Sequence, residues 1–150
     1  AREAPTAVIF RRGPTNRVEL LHWDRGTDEF TPGAWFHGRI YEERCDLSPD
    51  GSLLVYFAGK FGQRDSTYRD TWTAVSRPPW LTALALWPKG GTWNGGGLFR
   101  SNTELWINHG RPEHDPHRIA ERLPSDTEPH RDHRPSPTLK VSTGAPVGGG

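Results

Sequence analysis

The apolar residues of this chain fall in short runs between turn-forming residues, a pattern that predicts strands. Residues 52–58 form an uncharged apolar run directly after Ser48-Pro49-Asp50-Gly51. Because proline presets φ and glycine tolerates a positive φ, this sequence predicts a tight turn. We expect a hairpin whose first arm lies at 45–47 and whose second arm, without any charge, is covered on both faces.

Similar runs occur before and after this hairpin. Six of them are strand candidates, at residues 6–12, 17–23, 70–76, 81–87, 98–100 and 103–108. Aromatic residues between 30 and 41 are interrupted by Pro32-Gly33, which predicts one short edge strand with aromatic contacts. The expected fold class is therefore all-β, with antiparallel, blade-like sheets over residues 6–108.

One order of residue types occurs three times. In the first copy, the apolar-aromatic pair Ile9-Phe10 is followed by a strand that contains a glutamate and ends in tryptophan. In the last copy, the pair Leu98-Phe99 is followed by a strand of the same kind. A looser middle copy contains Phe57. The three phenylalanines are 47 and 42 residues apart, which is close to the roughly 40–50 residues of a propeller blade.

The chain resembles WD40-like and TolB-like β-propeller repeats on these residues. Residues 47–55 are similar to the strand-turn-strand pattern of such repeats, and Val18 to Asp24 is similar to their strand ending in Trp-Asp. The Gly-His pair of these repeats is missing, and Ile107 follows Trp106. The resemblance, which extends to short bacterial proteins without an assigned function, covers about two blades, too few to close a propeller. It implies either a partial propeller, completed by another copy or another protein, or a small sandwich.

Residues 109–150 differ from the rest and predict an extended tail. This segment holds seven of the 14 prolines and five of the seven histidines. Four histidines stand in two pairs with i, i+3 spacing, each beside an aspartate: His114, His117, His130 and His133. Such pairs can share a zinc or other transition-metal ion, as in a metal-dependent hydrolase or nuclease. The alternative is a polar tail in which histidine is merely abundant.

The seven tryptophans are unusual for this length. Trp35, Trp80 and Trp93 lie beside glycine or proline in predicted loops, where an aromatic side chain can anchor a protein or stack on a base. Arg39 and Arg44 flank such a surface. These residues predict a binding site for a protein partner, with RNA or single-stranded DNA as an alternative. The other interpretation is that the loop tryptophans fold back over the sheet.

Composition excludes several function classes. The net charge of +1, from 19 basic and 18 acidic residues, argues against a general polyanion-binding protein. The single Cys45 excludes an intramolecular disulfide and predicts a buried, inert thiol. No apolar run reaches 18 residues, so we expect no membrane segment and a cytoplasmic protein. Since no Gly-x-Ser-x-Gly or His-Glu-x-x-His is present, the predicted function is a non-catalytic interaction or structural component of a larger assembly.

Overall fold

A computed structural model describes residues 1–62, 70–108 and 139–143. These residues form one short 3₁₀ helix, Glu42–Arg44, and eleven strands: β1 (Thr6–Gly13), β2 (Arg17–Asp24), β3 (Glu29–His37), β4 (Arg39–Ile40), β5 (Asp46–Leu47), β6 (Leu54–Gly59), β7 (Thr71–Ser76), β8 (Ala85–Pro88), β9 (Gly97–Phe99), β10 (Glu104–Ile107) and β11 (Lys140–Thr143). The predicted all-β class is confirmed.

The strands form three sheets. Sheet A has the order β1-β2-β3, and sheet B has the order β4-β6-β7-β8 with β5 also paired to β6. Sheet C has the order β11-β10-β9. Neighbouring strands are antiparallel except β10 and β11, which run parallel. Residues 140–143, from the segment predicted to be a tail, therefore extend sheet C.

Sheet B lies between the other two sheets. All six residues of β6 are buried. Its alternate side chains Leu54 and Tyr56 join a first core with Leu20 of sheet A. Val55, which points to the opposite face, joins a second core with Leu105 of sheet C. The expectation that this strand is covered on both faces is confirmed, and the described sheets stack as three layers.

Each copy of the repeated sequence forms an antiparallel pair in a different sheet. Phe10 pairs with Leu20 across β1 and β2, and Phe99 pairs with Leu105 in the same way across β9 and β10. The middle copy is the β6–β7 pair of sheet B. Blade closure is not seen within the described residues, so the likeness to propeller repeats stays a prediction.

The turn at Ser48-Pro49-Asp50-Gly51 forms as expected. The carboxylate of Asp50 accepts hydrogen bonds from the Ser48 hydroxyl at 2.7 Å and the Ser52 amide at 3.0 Å. Although partial burial by itself would raise the pKa of Asp50, these hydrogen bonds lower it. Gly51 has a φ of 79°. The turn thus leads from β5 into β6 at the register Leu47 to Leu54.

Two predicted strands differ from the observed ones. The segment around residues 30–41 is not one short strand, because β3 alone runs nine residues. It stays an edge strand, where Pro32 is tolerated since its missing N–H breaks no ladder. The run 81–87 is strand only from Ala85. The Leu81 carbonyl instead accepts a hydrogen bond from the Tyr56 hydroxyl at 2.6 Å. This hydrogen bond takes the place of one from a neighbouring strand.

Candidate protein-binding face

The strands of sheet A alternate between two apolar faces. The turn between β1 and β2 contains Thr15 and Asn16 with φ of 59° and 56°, a backbone suited to a tight hairpin. It sets Gly13 opposite Arg17. In this register Val8, Phe10 and Leu20 point to the first core. The intervening residues therefore lie on the opposite side, which we call the outer face.

The outer face consists of four rows of residues that are paired across the three strands. In the order β1, β2, β3 they are Ala7-Trp23-Phe30, Ile9-Leu21-Pro32, Arg11-Glu19-Trp35 and Gly13-Arg17-His37. The first two rows are entirely apolar. The third adds Trp35, and the fourth ends the face with Arg17 and His37.

A bulge in β3 allows both Pro32 and Trp35 to lie on the outer face. The register shifts between Glu19 and Leu21 of β2, so β3 has one extra residue there. Ala34 turns to the first core, and its N–H donates to the Pro79 carbonyl at 2.9 Å. The bulge thus fixes sheet A against the segment between β7 and β8 and leaves the aromatic side chain of Trp35 outside.

Two aromatic rings cover the first row. Trp23 and Phe30 are stacked, with ring centroids 5.6 Å apart and planes 9° from parallel. The Trp23 indole N–H donates to the Asp28 carboxylate at 2.9 Å, which holds the ring in place. Phe30 remains 51% exposed. The pair is a flat, ordered apolar surface of the kind that anchors protein interfaces.

The charged residues of the third row neutralise each other. Glu19 is only 5% exposed and forms an ion pair with Arg11. The Arg11 guanidinium also lies 5.7 Å from the centroid of the Trp35 ring, and Trp35 is 38% exposed. The pair carries no net charge, although a partner that covers it must also desolvate the exposed Arg11 guanidinium.

No apolar residue of the outer face belongs to either core of the described residues. Such a patch is larger than the scattered single apolar residues normal for a protein surface. A face with an apolar centre and a polar rim has the composition of a protein interface. The outer face is therefore the candidate functional site.

The structure separates the predicted binding residues. Trp35 lies on the outer face, but the prediction that it is in a loop is wrong, because the bulge keeps it in β3. Trp80 is half-buried and packs against the first core, as the fold-back interpretation expects. Trp93 is 92% exposed in the segment between β8 and β9, away from the rows of the outer face.

Arg39 and Arg44 come together at a second place, the Arg44 cluster, which also includes Tyr41 and Phe57. The guanidinium carbons of Arg39 and Arg44 lie 4.8 and 5.6 Å from the Tyr41 ring centroid, and Arg44 is 5.4 Å from that of Phe57. Arg44 also donates to the Thr92 carbonyl at 2.6 Å. It thereby holds the loop next to Trp93.

The sequence analysis missed most of the outer face. Ile9, Leu21 and Pro32 were not among the predicted site residues, and Phe30 was assigned only to a short edge strand. The available signal was the hairpin register, because the turn at 13–16 sets which residues of β1 and β2 share a face. Since apolar residues occur on both faces of the β1–β2 hairpin, this register would have indicated that both of its faces are covered.

The candidate metal ligands His114, His117, His130 and His133 lie outside the described residues. Within the described ranges, no group of three histidine, cysteine or carboxylate side chains could hold a metal ion. Burial raises the pKa of the Cys45 thiol to about 12, so it stays protonated at neutral pH. Ser48 is fully buried and its hydroxyl is used within the turn.

Comparisons with known proteins add no family. No protein-family model, curated protein or solved structure matches the chain. In the part of the chain that the structure describes, no helix has the length and apolar character required to cross a bilayer. The functional argument therefore depends on the geometry of the outer face and of the Arg44 cluster.

Proposed function

We propose that this protein is a non-catalytic structural or interaction component of a larger cytoplasmic protein assembly, and that it binds a protein partner through the outer face of sheet A. The observation that carries the proposal is the pair of entirely apolar rows, Ala7-Trp23-Phe30 and Ile9-Leu21-Pro32, which lie outside both described cores. The single, half-buried Cys45 is consistent with the reducing conditions of the cytoplasm.

The layered architecture supports a protein as the partner. Each face of sheet B is covered by another sheet of the same chain, and the outer face of sheet A has a similar apolar composition. Aligned sheets pack about 10 Å apart through apolar side chains. A further layer of protein on sheet A would continue this arrangement, in agreement with the resemblance to stacked blades.

Site-specific photocrosslinking tests this function. A photoreactive phenylalanine analogue is placed at Phe30 or Leu21, in cells that produce the protein naturally, and at Trp93 as an exposed control. We expect protein adducts from the two positions on the outer face and none above background from Trp93. Leu21→Asp should abolish the Phe30 adduct while the circular dichroism spectrum stays that of the wild type. Absence of any adduct at Phe30 and Leu21 would contradict the proposed function.

RNA or single-stranded DNA binding at the Arg44 cluster is a second candidate function. One observation favours it: Arg44, which lies with Arg39 on the Tyr41 ring, is bonded to the carbonyl of Thr92, the residue before the almost fully exposed Trp93. An exposed indole can stack on a base while guanidinium groups contact phosphates.

Fluorescence anisotropy with a labelled single-stranded oligonucleotide tests the second candidate. Two phosphate contacts, from Arg39 and Arg44, predict a slope of about −1.4 for log K against log salt concentration. Trp93→Ala should weaken binding about tenfold or more, whereas Trp35→Ala, on the outer face, should have no effect. Salt-independent binding, or equal effects of the two substitutions, would exclude the Arg44 cluster as the site.

A further inference from the structure

We infer that the occupant of the outer face is a second copy of this chain, in a face-to-face dimer whose two-fold axis crosses the strands of sheet A at the row Ile9-Leu21-Pro32. This inference rests on the proposed function and specifies its partner. It follows from the distribution of charge along the face, from the neutral middle of the face and from the symmetry that such a contact requires.

The two ends of the outer face carry opposite charge. Beyond the first row, the turn and the strand ends beside it carry three carboxylates, Asp24, Asp28 and Glu29, against one guanidinium, Arg25; Asp24 and Glu29 have the register of the inner face and reach only the border of the outer face. At the other end the last row contains Arg17 and His37, both exposed. Arg17 forms no ion pair with any residue that the structure describes. The border of sheet A beyond the first row therefore carries a net negative charge, whereas the last row of the outer face carries the positive charge of Arg17.

Symmetry selects one arrangement of two such faces. When two copies of one sheet pack face to face, the two-fold axis lies in the plane between them. An axis along the strands would put Arg17 opposite the Arg17 of the second copy and the acidic turn opposite its equivalent. An axis across the strands puts each basic end opposite an acidic end. Because like charges at a contact cost free energy, the second arrangement is favoured.

In this arrangement the rows of one copy face the rows of the other copy in reverse order about the central row. The row Ile9-Leu21-Pro32 faces its own equivalent, and the row Ala7-Trp23-Phe30 faces the row Arg11-Glu19-Trp35. Phe30 and Trp35, the two most exposed aromatic residues of the face, both belong to β3 and thus come opposite each other. The ion pair of Arg11 with Glu19 leaves no net charge in this contact.

The size of the face predicts a moderate affinity. Three strands about 4.8 Å apart and the length from the acidic turn to the last row give roughly 14 by 30 Å, or about 400 Å². A standard interface buries about 800 Å² per partner. The dimer therefore needs its charged rim as well as its apolar rows, and we expect dissociation in the micromolar range.

Sedimentation velocity and cysteine crosslinking of the purified full chain test the dimer. Between about 1 and 100 μM, we expect a shift from monomer to dimer. In a Cys45→Ala background, a short bismaleimide should link two Pro32→Cys chains into a covalent dimer, because this row faces itself across the ~10 Å between packed sheets. Trp93→Cys, exposed but away from the face, is the matched control. Arg17→Glu should weaken association about tenfold, and the added change Glu29→Arg should restore most of it.

Each outcome decides between the inferences. A dimer without the Pro32→Cys crosslink, or one unaffected by Arg17→Glu, would overturn the two-fold arrangement. A monomer at all concentrations, whose Phe30 photocrosslinks to a different protein in cells, would overturn self-association while the proposed function stands. A monomer with no photocrosslink at the outer face would refute both.

Discussion

The two faces of sheet A are similar in composition but differ in coverage. On the inner face Val18 and Leu20 are almost completely buried against sheet B. On the outer face Leu21 is half-buried and Phe30 is half exposed. A sheet that is apolar on one side needs one covering layer, whereas a sheet that is apolar on both sides needs two. We therefore propose that this chain supplies one layer and takes the other from a partner.

The largest expected difference is between two adjacent leucines of β2. Leu20→Ala leaves a cavity in the first core and should lower the free energy of unfolding by about 2–5 kcal/mol. Leu21→Ala, on the outer face, should cost about 1 kcal/mol or less in the monomer. Urea unfolding at low protein concentration measures both. Equal losses would mean that the described monomer already covers its outer face.

The next largest loss of stability is expected at the bulge in β3, which fixes the inner face of sheet A. A Cβ at Gly33 would lie 2.1 Å from the Pro79 carbonyl oxygen, so Gly33→Ala must displace β3 from sheet B. Pro79 lies in the segment between β7 and β8, so the strain falls on the contact of β3 with that segment, and we expect a loss of about 1–3 kcal/mol in the free energy of unfolding. Gly91→Ala is the control, since a Cβ there meets nothing within 4 Å. A Gly33→Ala protein as stable as the Gly91→Ala protein would show that the bulge does not hold the layers.

The hydrogen bonds in the turn at Asp50 should contribute less to the free energy of unfolding than the bulge does. Asp50→Ala removes acceptors for Ser48 and Ser52, at a cost of about 1–2 kcal/mol. Because the folded-state pKa of Asp50 is lowered from its ordinary value of 3.8, this contribution is complete above that value. It is lost as the pH falls through the lowered pKa. Unfolding free energies of wild type and Asp50→Ala, measured from pH 7 to pH 2, should converge at the acidic end. A constant difference would assign the effect to packing.

The smallest effect on stability is expected on the outer face itself. Phe30→Ser should change the unfolding free energy of the monomer by about 0.5 kcal/mol or less, because about half of the side chain already contacts water. The same substitution should abolish the photocrosslink from Leu21. A large loss of stability without any loss of binding would reverse the roles that we assign to the two faces.

The main features of the fold could be predicted from local sequence. Turn residues at 13–16 and 48–51 define the hairpins, and the uncharged run of β6 indicates coverage on both faces. The parallel pairing of β10 with β11 could not be predicted, because it joins segments more than thirty residues apart and has no local sequence pattern.

The candidate site was harder to predict than the fold. Trp35 was identified from its side chain, yet its position depends on the bulge, which follows from a contact between Ala34 and Pro79. The alternation of residue types along β3 does not predict such a contact between residues that are far apart in sequence. Exposure of Trp93 and burial of Trp80 against the core likewise depend on tertiary packing, although both have glycine or proline close by.

The outer edge of β3 has a further consequence for how copies of this protein meet. Pro32 has no amide hydrogen to offer, and the Ala34 amide is already bonded to Pro79. A strand of another molecule would meet an interrupted series of N–H donors along this edge. Extension of the sheet from one molecule to the next through β3 is therefore disfavoured. If the outer face pairs as we propose, the contact is face to face and ends after two copies, so it would not continue into a fibre.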